Sequence, residues 1–304
     1  MKKLYHYPSM FIFSILAVIV LIVFEIVFFV TQTIFDPDIY SESMSKESVS
    51  ESVYNSLDEY FEQYAAPTRI PKEVFTDSLD EDKLTAAVYS LIDDCLQYLT
   101  NSDAPVPEPS YDFTELEESI TSYIEEYSEE NDIEKDDDYY DLIENTISTA
   151  EAQINSKLDV TMLYTLTQSG FATRIHAYTG YIKIALPILA VLLLVIIGIM
   201  FIINLHHLRD MPYWIGSILF TSSLIILVPV LYLDKTSYFD NFFISTEYIY
   251  NMITGLINTA MSRIITFQTI LCIIGVVLII STLIIQKLYK KYLKLQHQRH
   301  RSDI

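Results

Sequence analysis

Hydrophobic residues are distributed along this chain in two ways. Residues 10–30, 184–205, 214–233 and 264–286 are apolar on every side. Each stretch holds about 20 residues, roughly 30 Å of helix, which matches the hydrocarbon thickness of a bilayer. A helix without a polar face has nothing to offer water, so all four read as transmembrane helices. Elsewhere the apolar residues recur every three or four positions and polar ones fill the gaps. That spacing predicts helices with a single buried stripe.

Between the first and second apolar stretches the pattern predicts four such helices. The first spans residues 41–64 and carries Val49, Val53, Leu57, Phe61 and Tyr64 on one face, and "AAPTRIP" ends it. Ser78 and Glu81 have capping-box spacing ahead of a second helix with Leu84, Val88, Leu91, Ile92, Cys95 and Leu99 in its stripe. "NSDAPVPEPSYDF" is a linker. Thr114 and Glu117 repeat the capping-box spacing before a third helix with Leu116, Ile120, Tyr123, Ile124 and Tyr127. A fourth starts near Asp138, aligns Ile143, Ile147, Ala150, Ile154 and Leu158, and runs toward residue 168, where Ser169 and Gly170 interrupt it. Four amphipathic stripes can close a small bundle. The expected fold is therefore all-α: a polytopic membrane protein with four transmembrane helices and a helical-bundle domain between helices 1 and 2.

Residues 245–262 repeat the pattern. Ile249, Met252, Ile253, Leu256, Ile257, Ala260 and Met261 share one face, opposite Asn251, Thr254, Asn258 and Ser262. Such a helix either lies on the outer leaflet or docks against the bundle domain. Pro187 falls in the expected first turn of the second span, where proline is tolerated, and Pro229 falls near the outer end of the third.

Charge assigns the sides. The chain is 51% hydrophobic yet carries a net charge of −21. Both hold because residues 36–178 contain 34 acids against 7 bases, whereas the rest contains 6 acids against 12 bases. Lys2, Lys3, Arg209 and the tail bases Lys287, Lys290, Lys291, Lys294, Arg299 and Arg301 occupy three short segments on one side of the expected membrane. The positive-inside rule makes that side cytoplasmic. The resulting layout is a cytoplasmic N-terminus (1–9), helix 1 (10–30), an extracytoplasmic acidic domain (31–178), helix 2 (184–205), a cytoplasmic loop (206–212), helix 3 (214–233), an extracytoplasmic loop (234–263), helix 4 (264–286) and a basic cytoplasmic tail (287–304). A multi-pass protein of the cell membrane with both termini inside is expected. The first stretch is too long for a signal peptide core, and no small-x-small site follows it, so it reads as an uncleaved anchor.

Candidate chemistry is sparse. "SYIEEYSEENDIEKDDDYYDLIEN" is the most acidic run, and Asp132, Glu134, Asp136 and Asp138 alternate there as weak cation ligands would. An EF-hand is excluded, because Asp137 stands where the loop needs glycine and Ile143 where it needs glutamate. The alternative is a solvated acidic helix hairpin. Glu25 is the one formal charge well inside a span, about 15 residues from Met10, and an intramembrane carboxylate is a functional candidate by default. It reads either as part of an ion or proton pathway or as a helix-interface group paired with Thr221, Ser222, Ser223 or Gln268. His206 and His207 are adjacent and do not make a metal site alone. Cys95 reads as a small core residue. It cannot pair with Cys272 in mid-span, and an exported domain without disulfides suits a bacterial surface. The basic tail reads as a membrane anchor, not a nucleic-acid module.

The layout resembles a group of four-span membrane proteins of Gram-positive bacteria. The resemblance rests on the anchor followed by "YSESMSKESVSESVYNSLDEYFEQY", the acidic helical segment, three closely spaced spans and a short basic tail. The group brings no reaction, so the resemblance implies architecture alone. No Walker loop, HExxH, GxSxG or intramembrane aspartate pair is present, which disfavours an enzyme. No cofactor is expected. The expected function is a non-enzymatic accessory, sensor or scaffold whose acidic domain binds a partner, with a protein partner or self-association through the membrane helices or the acidic domain expected. The alternative is a homo-oligomeric cation channel or transporter component with an acidic outer vestibule. Besides the lipid bilayer, neither reading calls for nucleic acid.

Overall fold

A computed structural model describes residues 6–46, 48–101 and 103–302. The described chain folds into helices α1 (His6–Ile34), α2 (Pro37–Lys46), α3 (Val49–Thr68), α4 (Glu73–Thr76), α5 (Glu81–Thr100) and α6 (Thr114–Glu130). They continue with α7 (Asp137–Leu158), α8 (Leu163–Gln168), α9 (Phe171–Ile203), α10 (Met211–Lys235) and α11 (Glu247–Ser302). Short 3-10 turns occupy Leu205–Asp210 and Phe239–Asn241. No strand occurs among the described residues. Lys2 and Lys3, used above for orientation, lie outside them.

The chain divides into two compact units, one apolar and one acidic. The apolar unit contains α1, residues 181–239 and the chain from 260 onward. Tyr7–Ile34, Phe171–Ile203, Leu205–Lys235 and Glu247–Tyr289 each contain a helix long and apolar enough to cross a membrane. This is a multi-pass membrane protein. Its interior is a cluster of Met10, Ala17, Val20, Leu21, Met200 and Ile218 with their neighbours. Gly216 on α10 and Gly275 on α11 let two backbones meet: a Cβ on Gly216 would lie 2.7 Å from the Gly275 carbonyl oxygen. Small residues serve this role in membranes, where lipid is as apolar as leucine and only close contact favours helix on helix. Arg209 lies 3.8 Å from the centre of the Tyr289 ring, and Gln286 donates to Asp210 Oδ1 at 2.8 Å.

The acidic unit contains residues 35–180 and 240–259. Val49, Val53, Leu57 and Phe61 of α3 are buried, as are Leu84, Val88, Leu91, Ile92, Cys95 and Leu99 of α5. Phe61 stacks on Phe75 with ring centres 4.7 Å apart and planes 2° apart. Phe75 belongs to α4, a single turn too short to leave a periodic trace.

Several boundaries differ from those expected. The first amphipathic helix is two, because Ser48 adopts a left-handed conformation (φ 47°) between α2 and α3. The capping boxes do not form. Asp80 caps α5 by accepting from the N–H groups of Asp82 and Lys83, while the Ser78 hydroxyl donates to Phe75 O. At α6 it is Asp112 that accepts from both the N–H and the hydroxyl of Thr114. In each case an aspartate two residues away, downstream of Ser78 and upstream of Thr114, takes the role expected of the hydroxyl residue. The fourth helix stops at Leu158, because the Asp159 carboxylate accepts from Tyr164 N, Thr165 N and the Thr165 hydroxyl and opens a new turn before α8. Within α7 the buried positions are Tyr139, Thr146, Ala150, Ile154 and Leu158, with Ile143 and Ile147 only half-buried. Thr146 tolerates burial by donating to Leu142 O.

The expected helix at 245–262 is not separate: from Glu247 on it belongs to α11, which runs unbroken for 56 residues. Its first turns pack within the acidic unit through residues of both expected faces: Met252 of the apolar face is buried, while Asn258 of the polar face is exposed. Asn251 donates to the Ser52 hydroxyl at 3.0 Å, Ser43 donates to the Thr259 hydroxyl at 3.3 Å, and Thr254 is buried. Pro187 is likewise interior, because α9 begins at Phe171, well before the expected start of the span.

Candidate functional site

Glu25 lies on α1 and is 2% exposed, and Gln268 on α11 is 0% exposed. Gln268 Nε2 donates to Glu25 Oε2 at 3.3 Å. Of the partners expected for Glu25, the structure selects Gln268. The Ser222 and Ser223 hydroxyls instead donate to carbonyls of their own helix. Phe267 packs edge-on against Phe29 with ring centres 5.3 Å apart and also contacts Phe28 at 6.0 Å, so aromatic rings flank both partners in sequence. Among the described residues, Glu25 Oε1 and Gln268 Oε1 have no hydrogen-bond partner. Both oxygens are acceptors, and a buried acceptor without a donor is costly. A donor or a cation between them would relieve both.

The acidic run is the junction of α6 and α7. Asp136 caps α7, its Oδ1 accepting from Tyr139 N at 3.0 Å. A carboxylate at a helix N-terminus is stabilised by the peptide dipoles. Asp132 takes a left-handed conformation (φ 51°) in the turn. Lys135 pairs with Glu129 at 3.3 Å and lies 5.9 Å from the Tyr139 ring centre. Asp132, Glu134, Asp136 and Asp138 are all exposed. The structure does not gather them: among the described residues, no three His, Cys, Asp or Glu side chains form a group able to hold a metal. Cys95 is buried against the second stripe, and burial, then the charges of Asp159 and Asp94, pushes its thiol up to about 12.

A third site was not expected. The end of α3 and the flanks of α6 and α7 enclose a cleft of about 470 Å³. Tyr64 and Arg69 contribute from the α3 end, Tyr123 and Tyr127 from α6, and Leu142 and Asn145 from α7. Arg69 terminates α3 in a left-handed conformation (φ 63°, ψ 16°), with its N–H bonded to Ala65 O at 2.8 Å. The Tyr123 hydroxyl donates to Arg69 O at 3.3 Å, tying α6 to that turn. The threonine hydroxyls in the walls are already spent: Thr68, Thr146 and Thr149 each donate to a carbonyl of their own helix at 2.7 Å. These walls thus offer methyl groups and rings. Arg69 is the one charged residue in the lining. No single segment announces this site, since it joins residues 64–70, 123–127 and 142–149. The lone local signal is an arginine where a helix stop favours glycine.

Elsewhere in the same unit a hollow of about 540 Å³ lies beside Asp159, Met162 and Tyr248. Asp159 spends its carboxylate there on two backbone N–H groups and the Thr165 hydroxyl. Lys157 sits 5.4 Å from the Tyr248 ring centre, and burial holds its ammonium below the usual lysine range. Comparison with known proteins adds no relative: no protein-family model, curated protein or solved structure gives a significant match to this chain.

Proposed function

We propose that the protein is a non-enzymatic accessory, sensor or scaffold of the cell membrane, whose acidic helical unit lies outside the cytoplasm and binds a partner. The supporting observation is the cleft between α3, α6 and α7. It is large enough for a small ligand or a few side chains, and it presents rings with one cation in a unit that is otherwise strongly acidic. The orientation follows from the basic flanks, in keeping with the Gram-positive group that the layout resembles. Two experiments test this reading. A cysteine replacing the exposed Glu108 should react with a membrane-impermeant maleimide on intact cells. A photo-crosslinking amino acid at Tyr127 should trap a partner in living cells that the same group at Glu81 does not. Equal crosslinking at the two positions would sink the partner reading. Labelling only after lysis would sink the orientation.

A second reading is supported by the two unpartnered oxygens of Glu25 and Gln268. A carboxylate and an amide oxygen are hard donors that suit a hard cation. On this reading the protein is a homo-oligomeric cation conductor with Glu25 on the pathway. A full-length chain that is monomeric in detergent and passes no cations in liposomes ends this reading. Flux abolished by Glu25→Gln would support it.

A further inference from the structure

We propose that the cleft between α3, α6 and α7 receives the C-terminal end of a peptide with an apolar last residue, and that Arg69 pairs with its carboxylate. The inference rests on the partner-binding reading above and names the chemistry of the partner.

The first argument is charge. Residues 36–178 hold 34 acids and 7 bases, so a stray arginine would be expected to find a carboxylate. Three lysines do: Lys72 pairs with Asp58 at 2.9 Å, Lys83 with Glu115 at 2.8 Å and Lys135 with Glu129 at 3.3 Å, whereas Lys157 and Arg174 lie over the Tyr248 and Phe171 rings. Among the described residues Arg69 has no ion-pair partner; it is exposed, and the cleft lining to which it belongs holds no carboxylate. A guanidinium fork matches a carboxylate in two parallel hydrogen bonds.

The second argument is backbone. Position 69 holds a left-handed conformation (φ 63°) that glycine adopts without strain and other L-residues at a cost. Arginine occupies it nonetheless, fixed by two hydrogen bonds, one to Ala65 O and one from the Tyr123 hydroxyl. A helix stop alone would be better served by glycine. Ser48, Asp132, Met162 and Ser237 share the left-handed region, so what sets Arg69 apart among these five is the long cationic side chain it carries into the lining of a cleft.

The third argument is the remaining wall. Tyr64, Tyr127 and Leu142 offer rings and an isobutyl group to an apolar side chain, and the Asn145 amide, without a partner among the described residues, offers a donor and an acceptor. One anionic end, one apolar group and one amide within a few ångströms describe the last residue of a peptide. A free aromatic acid shares the first two features and lacks the third.

The test is calorimetric titration of the full-length chain in detergent with N-acetyl-Ala-Phe as the free acid, its C-terminal amide, and phenylacetate. The acid should bind about tenfold or more tightly than the amide, as expected for a charge-assisted pair. Arg69→Gly suits the left-handed position, so it should leave the melting temperature unchanged or raised and still remove that preference. Arg69→Gly that binds as wild type, or an amide that binds as the acid does, overturns the proposal. Phenylacetate binding as tightly as the peptide acid overturns the peptide while keeping an organic carboxylate. If no probe binds but crosslinking at Tyr127 persists in cells, this ligand chemistry fails and the partner reading stands. If both fail, the partner reading fails with it.

Discussion

The two units place the same kinds of residue in opposite locations. In the acidic unit Leu57, Phe61, Ile120 and Ile154 are fully buried and the charges face outward. In the apolar unit Ile188, Leu194 and Ile202 of α9 are exposed, while Glu25 and Gln268 are buried. The difference follows from the solvent that each surface is suited to meet. Water drives aliphatic side chains together in the first case. Lipid gives them no such reason in the second, so close backbone approach and a polar pair hold the helices instead. Burial therefore marks different chemistry in the two halves: a buried leucine is ordinary in one, and a buried glutamate carries information in the other.

The sharpest break in this comparison is Phe61→Ala set beside Leu194→Ala. Phe61 stacks on Phe75 in the core, and its loss should cost about 3–5 kcal/mol in denaturant titration. Leu194 is 68% exposed, and its loss should change little in the same assay. Equal effects would mean that the apolar unit also relies on aliphatic packing at that face.

Next comes backbone contact. A Cβ at Gly216 meets the Gly275 oxygen at 2.7 Å, whereas one at Gly198 meets nothing within 4 Å. Gly216→Ala should destabilise the membrane helices by about 1–3 kcal/mol, and Gly198→Ala should be neutral or better, as read by thermal aggregation in detergent. Gln268→Leu should then cost about 1–3 kcal/mol, because it removes the donor from buried Glu25. The double variant Glu25→Leu/Gln268→Leu should recover most of that loss. A double variant as unstable as the single one would show that the site needs its polarity for something other than mutual pairing.

Two smaller effects concern the acidic unit. The Cys95 thiol is raised from 9.0 to about 12, mainly by burial. A folded value above the unfolded one means that its neutral form stabilises the fold. That contribution is complete below about pH 9 and is lost as pH rises toward about 12. Tyr40 is raised by burial from 10.0 to about 12 and adds to the same alkaline decline. Melting temperature should fall over that window, and Cys95 should resist alkylation until the unit unfolds. The smallest effect is ionic. Sodium chloride should raise the melting temperature by screening the unit's self-repulsion, and calcium at matched ionic strength should add nothing more. A calcium-specific rise would reinstate Asp132, Glu134, Asp136 and Asp138 as ligands.

The stripes of α3 and α5 were readable because aliphatic residues at three- and four-residue spacing leave one way to bury them. The stripe of α7 is not legible from aliphatics alone: Ile143 and Ile147 are only half-buried, while Tyr139 and Thr146 are buried despite their polar atoms. The break after Leu158 was missed because the pattern continues across it, while Asp159 ends the helix through its own side chain. The join within α11 is hidden for the opposite reason: the change from amphipathic to apolar looks like a boundary, yet the backbone needs none.

Glu25 stood out as a candidate from sequence, since a carboxylate amid aliphatic residues is costly wherever it packs. That Gln268 partners it, leaving one oxygen on each side without a donor, depended on how α1 and α11 meet. The chain itself determined the helical class, the four apolar spans and the segregation of acids, because length, periodicity and charge are properties of consecutive residues. The approach of Gly216 to Gly275, the Glu25–Gln268 pair and the Arg69 cleft belong to the tertiary structure. Each joins residues tens to hundreds of positions apart, and no local pattern records which of them come to face one another.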